Sequence, residues 1–274
     1  MLTPSDIQTY HKDGYFVAPA LFAADEAAFF QAHYEAMRVQ NFAEKGQSLA
    51  EVAQLSDPLL QYPRIMQMHR HDTASLNWLI DARINQHLTA LLGAEPFAVQ
   101  TMFYFKPAGA RGQALHQDQF YLRVQPGTCM AAWMAVDDCD EENGCLRVVP
   151  GSHTWPLLCT TEADTRQSFT DVTVPLPEGM EAIPVCMKAG DVLFFNGQLV
   201  HGSLPNSSQK RFRRALIAHY IMGDAEKVYR SYHPVLRMDG TDVTFGESEQ
   251  GGICGTWVDK DGEVQLEMQA EAAR

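Results

Sequence analysis

Over the first 95 residues apolar positions recur every three to four residues, whereas beyond Pro96 they gather into short runs. The first texture predicts helices. Ser5 can cap a short helix from about Asp6, which Gly14 stops before the apolar run YFVAPALF. A second helix is expected over about 24–41, where Asp25 and Glu26 fall in the first turn and Phe29, Phe30, Tyr34 and Met37 repeat at helical spacing. A third is expected over about 73–92, carrying Leu76, Leu79, Ile80, Ile84, Leu88 and Leu91, with Gly93 as its stop.

The second texture is rich in aromatic and β-branched residues and is punctuated by Gly, Pro, Asn and Asp. It predicts strands at 98–106, 114–124, 128–137, 144–149, 183–187, 191–195, 199–203 and 213–222. Strands that succeed one another through turn signals point to an all-β sandwich or barrel rather than a parallel βαβ sheet. No repeat or linker divides the 274 residues, so one domain is expected: a mainly helical part over 1–95, a β core over 96–222 and a polar extension over 223–274. Within the extension, TWV and EVQLEM flank a turn at Asp259–Gly262 and predict a hairpin.

Composition narrows the functional classes. Lys and Arg number 21 against 34 Asp and Glu, a net charge of −13, which argues against a nucleic-acid partner read through its phosphates. The N-terminus MLTPSDIQTYHKDG lacks a signal peptide's basic and apolar regions, and no window approaches the roughly 18 apolar residues that span a bilayer. No membrane partner and a cytoplasmic location are therefore expected. The six cysteines (129, 139, 145, 159, 186 and 254) form no C-x-x-C pair and are read as reduced thiols.

The sharpest chemical signal is His116-Gln117-Asp118. On a strand, His116 and Asp118 would point to one face together, as two ligands of one metal would. A third ligand must come from His153, His201 or His219; His201, closing the apolar strand of AGDVLFFNGQLVHGS, is favoured. Two histidines and one carboxylate are the ligand set of non-heme Fe(II) oxygenases, leaving positions for a chelating 2-oxo acid and O2. The far carboxylate of that acid needs a cation, and the run Lys210-Arg211-Phe212-Arg213-Arg214 opens the next strand.

H-x-D, W-x-A-x-D-D, N-G-C-L-x-V-x-P-G-S-H, A-G-D-V-L-F-F and H-G-S-x-x-N-x-S-x-x-x-F-R-R-A stand in that order over residues 98–220. In this respect the chain resembles the phytanoyl-CoA dioxygenase family of Fe(II)- and 2-oxoglutarate-dependent oxygenases. The resemblance implies a double-stranded β-helix, or jelly roll, with helices packed outside it. It implies His116, Asp118 and His201 as catalytic iron ligands, Arg213 (with Arg211 as the alternative) on the distal carboxylate of 2-oxoglutarate, and Ser203, Trp133, Met102 and Arg64 as further contacts to that cosubstrate. It makes His153 structural. Because Asp118 is intact, hydroxylation or a related oxidation is expected rather than the halogenation that some members perform. The implied reaction consumes O2 and 2-oxoglutarate, releases succinate and CO2, and oxidises a C–H bond.

Tyr104, Gln119, Phe120, Tyr121 and Arg123 are expected at the pocket mouth, with 155–180 as a lid, and the acidic balance favours a small or medium metabolite over an acyl-CoA. Two other readings stand beside this one: a non-catalytic jelly-roll binding module, and a cupin-type metalloenzyme that uses no 2-oxo acid.

Overall fold

The computed structural model describes residues 2–249 and 252–270; the last four residues of the expected extension lie outside that range. Helices α1 (Pro4–Asp13) and α2 (Ala24–Glu44) form where expected, although Thr3 rather than Ser5 caps α1, its side chain accepting from the Asp6 N–H. The expected third helix is two, α3 (Thr73–Leu79) and α4 (Ala82–Leu92). The break falls at Asp81, whose carboxylate accepts from the Arg83 N–H and starts a new helix. Sequence periodicity ran through this break because the apolar stripe continues on both sides of it.

Nine strands carry the core: β1 (Tyr15–Ala18), β2 (Phe97–Tyr104), β3 (Gln113–His116), β4 (Cys129–Ala135), β5 (Leu146–Val148), β6 (Ile183–Val185), β7 (Val192–Asn196), β8 (His201–Ser203) and β9 (Ala215–Ile221). They form two sheets. The larger runs β1-β7-β4-β9-β2 and is extended by Val235–Leu236 and Asp242–Val243; the smaller runs β3-β8-β5-β6. The sheets face one another as an open jelly roll, the mainly β architecture that the sequence texture implied.

Strand period sorts the larger sheet's residues. Met130, Ala132, Met134, Phe194, Leu216 and Tyr220 pack with Phe30, Tyr34, Trp78 and Leu88 of the helices. Their neighbours Ala131, Trp133, Leu193, Phe195, Ala215 and Ile217 pack with Leu146 and Val148 of the smaller sheet. Both faces are buried, which is why these strands read as continuous apolar runs rather than an alternation. The same period turns His219, two residues past Ile217, toward the space between the sheets.

The hairpin forms as strands Ile253–Lys260 and Glu263–Ala270, antiparallel with Lys260 opposite Glu263. The reading of all six cysteines as thiols is wrong. Cys159 and Cys254 form a disulfide across a separation of 95 residues. The hairpin returns alongside the segment after β5, where Cys159 N–H donates to Gly255 O and Gly255 N–H to Leu157 O, and this pairing aligns the two sulfurs. Nothing local in the sequence signals that return. No helix among the described residues is long and apolar enough to cross a membrane.

Candidate active site

The smaller sheet places two histidines side by side. In the β3–β8 register His116 is opposite His201, and their ring centroids are 4.2 Å apart. Close passage of β8 between its neighbours requires Gly202, because a Cβ there would lie 2.8 Å from the Gln113 carbonyl oxygen. Asp118 arrives differently from expected. The strand foreseen over 114–124 ends at His116, and Asp118 takes αR geometry (φ −62°, ψ −30°) ahead of a one-turn helix, Gln119–Leu122. Convergence of His116 and Asp118 is thus made by a turn, not by strand alternation. Gln117 fixes that turn: its amide donates to the carbonyls of Pro156 and Gln198 and accepts from the Leu158 N–H.

One ligand atom from each of His116, Asp118 and His201 lies within 4.8 Å of the others, and all three residues are buried. Each histidine Nδ1 lies near a carbonyl two residues back, Ala114 O at 2.9 Å and Leu199 O at 3.0 Å. With Nδ1–H so engaged, the Nε2 lone pairs are left facing Asp118 Oδ1, at 3.5 and 3.7 Å. Those separations exceed a good hydrogen bond and suit donors arranged around an ion. The Gln113 amide, 3.0 Å from His116 Nε2, occupies the same space and must turn aside for a ligated metal.

Electrostatics prepares the set. Burial pushes the Asp118 carboxyl up, but the His201, His219 and His116 rings outweigh it and hold the group well below the usual carboxylate range. Burial lowers His201 to about 4, with His116 adding to the effect, so its imidazole is neutral at pH 7, the form that binds metals. Behind Asp118, the His219 ring places Nε2 2.9 Å from Oδ2. His219 thus backs the Asp118 carboxylate and stands outside the group formed by His116, Asp118 and His201. His153 lies away, its Nε2 against the His11 carbonyl at 3.2 Å and its ring filling the space beside Gly14.

A cavity of about 300 Å³ opens onto the triad, and Arg213, Ser203, Trp133, Met102 and Arg64 all line it. Arg213 is buried, its Nε donating to Gly144 O at 3.1 Å and its guanidinium carbon 5.2 Å from the Trp133 ring centre. Arg211 instead pairs with Asp140 and Glu142 at the surface, and Arg214 pairs with Asp137. The geometry thus separates the three arginines that the sequence left adjacent. Of the expected mouth residues, Tyr104 and Tyr121 line the cavity. The Gln119 amide turns away to the Val124 and Gly127 carbonyls, and Arg123 lies over Phe120. From the expected lid, Phe169 and Thr170 reach the cavity.

Sequence reasoning missed Lys106, a buried lysine beside Arg213. The visible signal was a lone lysine closing the apolar strand AVQTMFYF ahead of Pro107.

A jelly roll bearing two histidines and a carboxylate is the arrangement of the non-heme Fe(II) oxygenases. The chain belongs to the phytanoyl-CoA dioxygenase (PhyH) family, whose model matches residues 10–215. It is 31% identical over 155 residues to Phytanoyl-CoA dioxygenase 1 of Oryza sativa subsp. japonica, covering 56% of this chain and 55% of that protein. That match spans little more than half of the rice relative. Against Phytanoyl-CoA dioxygenase of Arabidopsis thaliana the identity is 25% over 258 residues, covering 82% of this chain and 91% of the relative. Among solved structures, the epimerase SnoN in complex with Fe3+, alpha ketoglutarate and nogalamycin RO superposes with TM-score 0.64 at 21% identity, over 96% of this chain and 97% of SnoN. The non-heme alpha ketoglutarate dependent carbocyclase SnoK gives TM-score 0.64 at 22% identity, over 85% and 88%. At such identities the likeness concerns the fold.

Proposed function

We propose that the protein is an Fe(II)- and 2-oxoglutarate-dependent dioxygenase that hydroxylates a C–H bond of a small or medium metabolite. One observation carries the reading: a buried two-histidine, one-carboxylate group and a buried arginine open onto a single cavity. His116, Asp118 and His201 would hold the iron. Arg213, with Ser203 beside it, would take the distal carboxylate of 2-oxoglutarate, while Trp133 and Met102 flank the chain of the acid. Together iron, O2 and the oxo acid supply the oxidising power, with succinate and CO2 released.

The residues have three tasks. Neutral His201 and ionised Asp118 present lone pairs inward without prior loss of a proton. Arg213 orients the oxo acid, and its burial strengthens that attraction by excluding water. Tyr121, Phe169 and Tyr104 wall the remaining space. Arg64 lies at the exposed rim, donating to the Tyr104 hydroxyl at 3.2 Å, where it can meet either the cosubstrate or an acidic group of the substrate.

The size of the substrate follows from the walls. About 300 Å³ must hold both the oxo acid and the reacting part of the substrate, so a compact molecule fits. Arg111, the second cation at the rim, is already paired with Asp57 at 2.7 Å, which leaves little to engage the several phosphates of an acyl-CoA.

The test is anaerobic titration of the Fe(II)-loaded protein with 2-oxoglutarate, watching the visible charge-transfer band of the chelated acid. A saturable band that Arg213→Met abolishes supports the reading. Iron binding without a band favours the cupin-type enzyme, and loss of iron binding altogether favours the binding module. Substrate class is then tested by succinate release across a metabolite panel, where coupled turnover with acyl-CoAs alone would refute the size argument.

A further inference from the structure

Ser203 and Arg213 are joined through Lys106. The Lys106 ammonium donates to Ser203 Oγ at 3.0 Å, to Gly144 O at 2.8 Å and to Leu204 O, and Gly144 O also accepts from Arg213 Nε. Its carbonyl accepts from the Arg213 N–H and from the Asn206 amide, each at 3.1 Å. To do all this Lys106 adopts φ +38°, a backbone region that a lysine rarely enters.

A serine hydroxyl has two lone pairs and one proton. Both acceptor sites on Ser203 Oγ are filled, one by the Lys106 ammonium and one by the Gln113 N–H at 3.2 Å. The proton has no protein acceptor among the described residues, and Ser203 lines the cavity. The two terminal nitrogens of Arg213 likewise have no acceptor among the described residues, Nε alone being engaged. This end of the cavity therefore offers donors only. A carboxylate, which only accepts and is charged, matches it; a methyl group leaves those donors stranded.

We propose that Lys106 is a positioning residue that makes Ser203 an obligate hydrogen-bond donor and so sets the preference of the site for a 2-oxo acid with a second carboxylate. All three ammonium protons are spent on the protein, so Lys106 acts through Ser203 and the Gly144 carbonyl without touching the ligand. Burial, and after it the neighbouring Arg213 guanidinium, hold the Lys106 ammonium well below the usual lysine range, and an anion arriving beside the two relieves that strain. The inference rests on 2-oxoglutarate lying against Arg213, as proposed above.

The experiment compares 2-oxoglutarate with 2-oxopentanoate, which has the same five carbons but a methyl group in place of the distal carboxylate. Each is titrated calorimetrically into anaerobic Fe(II)-loaded protein. Lys106→Met is expected to weaken 2-oxoglutarate binding about 10- to 100-fold, the range for a hydrogen bond to a charged group. Binding of 2-oxopentanoate and of Fe(II) should change by less than about twofold. Ser203→Ala should show the same pattern, and the double variant should lose little more than either single one, since both changes remove one interaction. Should Lys106→Met fail to fold, Lys106→Gln, which retains an N–H donor, is expected to lose selectively against the diacid by a smaller factor. Equal losses for both acids, or undiminished 2-oxoglutarate binding, would overturn the proposal. A wild-type protein that binds neither acid would overturn the oxygenase reading instead, and this inference with it.

Discussion

Replacing His219 by leucine should loosen the hold on iron although His219 is not placed as a ligand. Its Nε2 meets Asp118 Oδ2 at 2.9 Å, with the two residues 2% and 7% exposed. A hydrogen bond to a charged group contributes about 1.5–3 kcal/mol, and about 1.4 kcal/mol corresponds to tenfold in affinity. The expected loss in Fe(II) affinity is thus about 10- to 100-fold, the scale seen when groups supporting metal ligands are removed. Leucine also strands a buried carboxylate oxygen, so the metal-free protein should lose about 1–3 kcal/mol. Anaerobic competition for Fe(II) against a chromogenic chelator reads the first effect, and urea unfolding of the metal-free protein reads the second. His219→Gln, which can bring an amide N–H to the same oxygen, should recover most of the affinity. Unchanged iron binding in His219→Leu would refute the reasoning, and equal losses in both variants would assign the effect to packing.

Asp118→Ala should weaken Fe(II) binding and abolish oxidation, whereas His153→Ala should retain iron and lose about 1 kcal/mol, since only its contact with the His11 carbonyl and its packing by Gly14 are removed. Iron titration of both variants checks this, and loss of iron by His153→Ala alone would reverse the assignment. Burial lowers His69 to about 4, so between its unfolded value near 6.5 and pH 4 the unfolded chain binds the extra proton. Stability should fall as pH drops through that window, by at most on the order of 3 kcal/mol from this residue, and urea unfolding should show a shallower fall in His69→Gln. Thiol titration of unfolded, unreduced protein should count the four cysteines 129, 139, 145 and 186, rising to six after reduction; six before reduction would exclude the Cys159–Cys254 bond.

A β sandwich or barrel was legible because its determinants are local, whereas the jelly roll in particular came from the family resemblance. Runs such as CMAAWMA and ALIAHYI are buried on both faces, and their apolar continuity reports that burial directly. The break at Asp81 was not legible, because an N-cap inside an uninterrupted apolar stripe changes backbone direction without changing the pattern. Nor was the Cys159–Cys254 pairing, which depends on a return across 95 residues.

At the site, the residue types were legible but the geometry that joins them was not. Alternation would have placed His116 and Asp118 on one face of a continuous strand, and the structure brings them together through a turn held by Gln117. The triad is therefore tied to the segment 156–158, and through Cys159 to the hairpin at Cys254, by a side chain that alternation had turned away from the chemistry. Between Arg213 and its alternative Arg211 spacing left a doubt, because the choice depends on which arginine finds a carboxylate outside the cavity. Asp140 and Glu142 take Arg211 and Asp137 takes Arg214, leaving Arg213 in the cavity with no acidic partner among the described residues. A buried cation without an anion is costly unless a ligand supplies one, and that unmet charge, more than the motif around it, marks where an acid should bind.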